Sequence, residues 1–424
     1  MFSAVSIQIL RKLADQLPES PKQDNAGQRK QRTGSGQEII AKISVREECG
    51  SHSGILLKQQ ELIKIICMRL SEMKESKGGF RMSKKWMSVL TVTMVIGMSM
   101  AAFAAPEDSE AVQKAAEEGW EIAVVPKDST NPWFVRMKSG VDDFAAATGV
   151  DCYQVDTGTI DAVAQAQQVR DLIAQGVDAI CVVPVDIESM DAVLKEAMDA
   201  GIVVVAHEGA SLENVNYDIE AFSNEGYGAF IMQNLAEAMG EEGVYTTMVA
   251  SLTNGSHNEW ADAGVAYQKE NYPNMTLLEE MPRVESNDNG DDAYNKAKEL
   301  IKAYPDLKGI MGTSSFDAPG VARAIQELGL TDQFFTSGTG MPADNAELLK
   351  SGVVKSLTLW DPAIAGEAMV DLACKVLAEE AIEAPVNLDV DGYTEMVWRE
   401  GSDTVLEGQG WITIDAENVD SFGF

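Results

Sequence analysis

The sequence predicts an α/β protein built as two doubly wound parallel-sheet lobes, and three observations carry that reading. From Glu121 onward, short β-branched runs alternate with amphipathic segments, the pattern of βαβ units around parallel sheets. The pattern restarts after Gly226, so two similar halves follow one another. Both halves repeat a phrase in which a helix ends and an apolar strand begins: Gly176-Val177-Asp178-Ala179-Ile180 in the first, Leu307-Lys308-Gly309-Ile310 in the second.

In the first half the expected strands are Glu121 to Val125, Cys152 to Val155, Ala179 to Val183 and Ile202 to Ala206. Phe134, Met137, Val141 and Phe144 mark one helical face between them, and Val163, Ala166, Val169, Leu172 and Ile173 another. The second half reads as strands at Val244 to Ala250, Thr276 to Met281, Gly309 to Met311, Phe334 to Thr336 and Val354 to Leu359. Helical stretches near Tyr227 to Met239, Glu259 to Glu270, Asp291 to Ala303 and Pro319 to Leu328 separate them. In open α/β sheets, ligands bind beyond the carboxyl ends of the strands, so two facing halves make a cleft lined by strand-end loops.

Composition narrows the function. The chain has 424 residues, enough for two domains; 45% are apolar and 24% charged, which excludes a disordered chain and a polytopic membrane protein. Residues 1 to 81 hold 14 of the 33 basic and 9 of the 67 acidic residues, so the remainder stands at −39. Such a body repels a phosphate backbone or an anionic lipid surface, which excludes nucleic acid as its partner. Beyond residue 82 the cysteines are Cys152, Cys181 and Cys374, each among apolar residues, and they read as buried free thiols. No metal-ligand spacing occurs, so neither metal nor cofactor is expected.

Residues 82 to 104 read as a secretory signal peptide. Lys84 and Lys85 give a basic start, an apolar stretch follows, and Ala102-Phe103-Ala104 forms an A-x-A cleavage site before Ala105. No cysteine follows to suggest a lipoprotein anchor, so a free periplasmic protein is expected. Residues 1 to 81, rich in Gly, Ser, Gln, Lys and Arg between 20 and 54, read as a disordered, mis-assigned upstream extension with Met82 as the true start. Lys77-Gly78-Gly79 fits a purine-rich ribosome-binding sequence just ahead of Met82.

The strand-end loops supply the candidate site. After the first strand, Pro126 to Phe134 sets Lys127 and Asn131 beside Trp133 and Phe134 at a helix start. A sugar presents hydroxyls at its edge and weakly apolar C–H faces, so charges and amides beside aromatic rings suit it; a helix cap with a core staple is the other use of the same residues. The fourth strand ends in His207-Glu208, where a carboxylate accepts from two hydroxyls and a neutral imidazole donates or accepts. In Ser251 to Trp260, Ser256 and Glu259 read as a capping box, which leaves His257 and Trp260 to face the cleft. Ser314 and Ser315, Thr339, and Asp361 are further candidates on loops rich in hydroxyls and glycine. Gly338-Thr339-Gly340 lacks the third glycine of a dinucleotide motif. Asn287 to Asp292 lacks the alternating ligands of a calcium loop and reads as a turn with helix N-terminal acids.

In this order, the phrases VPKDSTNPWF, QGVDAICVVPVD, SHNEW, AYPDLKGI and LWDPAIAG resemble the periplasmic-binding-protein type I family, ribose-binding-like, and within it the autoinducer-2-binding and rhamnose-binding branch. The likeness spans about Trp120 to Phe424 and includes a short aromatic tail at Phe422 and Phe424. It implies that Lys127, Asn131 and Phe134 form the first cleft wall, that Glu208 is the acid after the fourth strand, and that Asp361 lies at a hinge. It further implies three crossings between lobes, near Ser223, Trp360 and Leu388. The N-terminal lobe is then 119–223 plus 361–388 and the C-terminal lobe 224–360 plus 389–424, closing on ligand by a hinge motion. The implied function is capture of a small sugar or polyol for the membrane permease of an ABC importer, and presentation to a chemoreceptor is compatible with it. In the autoinducer-2 receptors the acid after the fourth strand is an aspartate, an Asp-Gln pair stands where this chain has Ser256-His257, and a Pro-x-Ala pattern falls near Thr313 and Ser315. These three departures favour a sugar or another polyol over autoinducer-2.

Two other classes fit less well. An enzyme needs a nucleophile and base within reach, a metal cluster or paired carboxylates, and neither His207 nor His257 lies in such a motif. A sugar-responsive transcription regulator needs a DNA-binding head, and residues 1 to 81 show no helix-turn-helix pattern.

Overall fold

The computed structural model describes residues 109–424; the readings made on residues 1 to 81 and 82 to 104 lie outside them. The described chain begins α1 (Glu110–Glu118), β1 (Glu121–Val125), α2 (Pro132–Thr148), β2 (Asp151–Gln154), α3 (Ala162–Gln175), β3 (Ala179–Val182), α4 (Ile187–Asp199), β4 (Val203–His207), β5 (Tyr217–Glu220). It continues α5 (Asn224–Met239), β6 (Gly243–Val249), α6 (Gly255–Asn271), β7 (Met275–Leu277), β8 (Arg283–Glu285), α7 (Gly290–Ala303), β9 (Leu307–Gly312), α8 (Asp317–Leu328), β10 (Phe335–Ser337), α9 (Pro342–Lys350), β11 (Ser356–Leu359). The last elements are α10 (Pro362–Leu377), β12 (Val397–Trp398), β13 (Val405–Glu407) and β14 (Ile412–Asp415).

Local chemistry sets the boundaries. Asn131, Asp161, Ser223, Asn254 and Asn289 accept from backbone N–H groups at the start of α2, α3, α5, α6 and α7, because a helix leaves its first donors unpaired. Gly176, at φ 81°, ends α3 in the left-handed conformation that glycine adopts without penalty. β3 is buried along its whole length, as expected of a central parallel strand covered on both faces.

The first sheet has the order β12-β13-β5-β4-β3-β1-β2 and is parallel except for β12. In the second, β10, β9 and β6 run parallel, and β7 and β8 follow one another along the free edge of β6. Each order reverses beside its first strand, at β1 against β3 and at β6 against β9. These are the switch points where a crevice opens beyond the carboxyl ends. The loops after β1 and β6 are the ones the sequence singled out.

Two expectations are corrected. The strand expected over Thr276 to Met281 is realised only at its start, where β7 ends at Leu277, and β8 beyond Pro282 was not expected. The third crossing, expected near Leu388, falls between Glu407 and Ile412. β13 pairs in parallel with β5, Val405 opposite Asp218, and so stays with the first lobe; β14 then pairs with β11, Leu357 opposite Ile414, in the second. The hairpin covers the edge that β5 would otherwise leave open. Cys152, Cys181 and Cys374 are buried free thiols.

Candidate ligand-binding site

Between the carboxyl ends of the two sheets lies a cavity with about 300 Å³ unfilled by protein atoms, part of it open to solvent. The loops of the first lobe contribute Lys127, Asn131, Trp133, Phe134 and Glu208; those of the second contribute His257, Trp260, Asp288, Thr313, Ser315 and Thr339. Trp360 joins them from the second crossing.

A buried ion pair dominates the polar wall. Lys127 Nζ lies 2.5 Å from Glu208 Oε2, which also accepts from Ser256 Oγ of the other lobe at 3.2 Å. Glu208 holds a positive φ of 56°, a conformation costly for a side chain with a Cβ and kept here by that double contact. Burial opposes its ionisation, but the Lys127 ammonium outweighs it and holds the carboxyl below the usual range. His257 is buried, which with Lys127 drives its imidazole down to about 3. It is neutral at pH 7. Its Nδ1 accepts from the Ala250 N–H at 3.4 Å, so Nε2 carries the proton and lies 4.0 Å from Glu208 Oε2.

Several side chains that line the space have unused hydrogen-bonding capacity. Asn131 spends its Oδ1 on the α2 cap, which leaves its amide N–H groups free. Trp133 Nε1 is buried without a partner. Asp288 accepts from Ser314 on Oδ1 only. Aromatic rings form the opposite character of wall: Trp360 meets Trp133 at 4.5 Å and 68° and Trp260 at 5.6 Å and 77°, both edge-on. Free donors and carboxylate oxygens beside apolar rings suit a compact polyhydroxylated ligand.

Lys127, Asn131, Trp133, Phe134, Glu208, His257, Trp260, Ser315 and Thr339 therefore converge on one cavity. Three other expected residues do not line it. His207 is buried behind the wall, its Nδ1 donating to Ile219 O at 2.6 Å and its Nε2 accepting from Trp360 Nε1 at 3.0 Å. Ser314 turns its hydroxyl to Asp288. Asp361 caps α10 and takes the Arg136 guanidinium through both oxygens, at 2.9 and 2.7 Å. The capping box also differs. Asn254 is the cap of α6, freeing Ser256 for Glu208, while Glu259 pairs with Arg399 and accepts from Asn224 Nδ2 at 3.0 Å.

The sequence reading missed Asp288, Thr313 and Trp360 as lining residues. Asn287 and Asp288 both have positive φ, 55° and 49°, in a turn that aims Asp288 inward while Asn289 caps α7. Asn and Asp tolerate that conformation, so the Asn-Asp-Asn run was itself a signal.

The family described as "Periplasmic binding protein domain" matches residues 122–381. A xylitol-binding protein of Mycolicibacterium smegmatis is 29% identical over 248 residues, 56% of this chain and 68% of the relative. The ribose import binding protein of Bacillus subtilis is 22% identical over 72% of this chain and 99% of its own length. Among solved structures, LsrB of Clostridium saccharobutylicum in complex with AI-2 superposes with a TM-score of 0.65 at 20% identity, covering 72% of this chain and all of that one. A Clostridium phytofermentas solute-binding protein with bound L-rhamnose gives a TM-score of 0.65 at 18% identity, covering 71% and 97%.

Proposed function

From the premise that the chain belongs to the periplasmic-binding-protein family, we propose that it is the extracytoplasmic solute-binding protein of an ABC importer, closing two lobes over a sugar or small polyol. The observation that carries this reading is the cavity itself: a buried Lys127–Glu208 pair, bonded across the lobes through Ser256, with free polar groups on one side and indole rings on the other. Relatives named for xylitol, ribose and allose support a polyhydroxylated cargo, and all are named as binding proteins rather than enzymes. One of them is named as periplasmic, which supports that location. No described helix is long and apolar enough to cross a membrane. The partner in this reading is the importer's permease, with a chemoreceptor as a further recipient of the closed form.

A thermal-shift panel of pentoses, hexoses, deoxyhexoses, polyols and autoinducer-2, with calorimetry of each hit, tests it. A ligand at about 100 times its Kd stabilises the fold by roughly 2.7 kcal/mol. One tight sugar or polyol supports the reading. A tight response to autoinducer-2 alone replaces the cargo, and silence across the panel removes it.

A further inference from the structure

Resting on the binding function proposed above, we infer that His207 is a positioning residue: it holds the Trp360 indole as a wall of the cavity and does not touch ligand. Both ring nitrogens are already committed. His207 is the last residue of β4 and sits opposite Ile219 of β5 in the ladder. Its Nδ1 donates to the carbonyl of that same Ile219, which fixes the tautomer and leaves the Nε2 lone pair to accept from the Trp360 N–H. Two paired strands therefore aim the imidazole.

Trp360 depends on that acceptor. It is 2% exposed, so its N–H has no water to turn to. An indole N–H buried without a partner is costly, and the ring would tilt to find one. Trp360 also stands on the second crossing, between β11 and α10, where rings of both lobes lean on it edge-on: Trp133 from the first, Trp260 from the second. A tilt of this indole displaces the aromatic wall on both sides at once. His207 thus acts on the cavity from behind, one bond removed.

The test uses the full chain with ¹⁵N-labelled tryptophan, the Trp360 indole N–H being assigned by its loss in Trp360→Phe. In wild type this proton should exchange slowly with solvent. His207→Leu should shift its resonance and speed its exchange at least tenfold, and His207→Gln, which keeps an acceptor, should restore most of both. An indole signal unmoved in His207→Leu overturns the inference. Calorimetry with xylitol, D-ribose and L-rhamnose supplies the second readout. For a probe that wild type binds, His207→Leu should weaken binding at least tenfold, yet add nothing in a Trp360→Phe background. Fully additive losses would show that His207 acts independently of Trp360 and overturn the assignment. Binding of no probe counts against the proposed cargo, while the indole signal still decides the role of His207.

Discussion

Lys127 Nζ and Glu208 Oε2 stand 2.5 Å apart, with 3% and 4% of their side chains exposed. Two charges so far from water are held by each other, so removing one strands the other. Lys127→Met should cost about 3–5 kcal/mol of stability. Lys127→Met/Glu208→Leu should cost less than the two single changes together. Urea unfolding of the four proteins measures the coupling. Additive losses would mean that the pair is not energetically linked.

Asp218 and Glu220 lie two residues apart on β5 and share a face, both fully buried. Burial pushes Asp218 up to about 7, Glu208 adding to it, while the Gly209 N–H, Glu220 and Arg399 pull it down. Glu220 is raised well above the carboxylate range by burial, then by Asp218 and Glu208, against Asn224 and Arg399. A carboxyl neutral when folded and ionised when unfolded contributes its stability fully below about pH 4 and loses it as pH climbs to its folded value. Asp317, Glu367 and Asp371, also raised to about 7 by burial, act with the same sign. His207 and His257, lowered by burial, act in the opposite sense up to about pH 6.5, but the five raised carboxyls outnumber them, so stability should fall from pH 5 to pH 7. Asp218→Asn, which keeps an acceptor for Gly209, should flatten that slope by up to roughly 1.4 kcal/mol per pH unit. Urea melts at pH 5, 6 and 7 decide it, and equal slopes would refute the assignment.

The parts of this molecule legible in the sequence are those written by local rules. β1 was read to the residue, and β3, β4 and β6 within one, because buried parallel strands are continuous apolar runs bounded by turns. The second half was legible because the α/β pattern restarts after Gly226, and β6 opens a separate sheet there. What stayed hidden is long-range. Val397-Trp398 and Val405-Leu406 are too short to read as strands, and only their pairing with β5 places them in the first lobe. Likewise His207 and Glu208 are adjacent on one strand end and look alike as candidates. His207 ends the strand and bonds Ile219 and Trp360 behind the wall, while Glu208 leaves the strand at a φ of 56° and lines the cavity, and that choice depends on what packs behind the sheet.

Arg399, on the turn after β12 in the first lobe, pairs with Glu259 on α6 of the second. Glu259 also accepts from Asn224 Nδ2, and Asn224 Oδ1 accepts from the Trp260 indole N–H at 2.6 Å, so the chain of bonds ends on the cavity wall. A contact made only between closed lobes biases the open–closed equilibrium by its own free energy. Arg399→Ala should weaken affinity for any bound sugar by about three- to tenfold, or ~0.7–1.4 kcal/mol. Small-angle scattering of the ligand-free protein should show a larger radius of gyration than wild type. An unchanged radius together with unchanged affinity would mean that the bridge has no part in closure.

Gly228 of α5 lies against α6 so closely that a Cβ built there falls 2.1 Å from Trp260 O and 2.9 Å from the Ala263 Cβ. Backbone cannot rotate away as a long side chain does, so Gly228→Ala must push the two helices apart. Overpacking of this kind costs about 1–3 kcal/mol. The carbonyl that would be struck belongs to the residue whose indole lines the cavity, so the displacement should reach the site as well. Gly119→Ala is the control. Gly119 has a φ of 69°, with nothing within 4 Å of its added Cβ, and it lies at the end of α1, away from the cavity. Its backbone strain should cost roughly 1–2 kcal/mol and leave affinity untouched. Thermal unfolding and calorimetry on both variants separate the two effects. If Gly228→Ala loses stability while binding as tightly as wild type, then α6 moves without carrying Trp260, and the wall is held by the other aromatic rings.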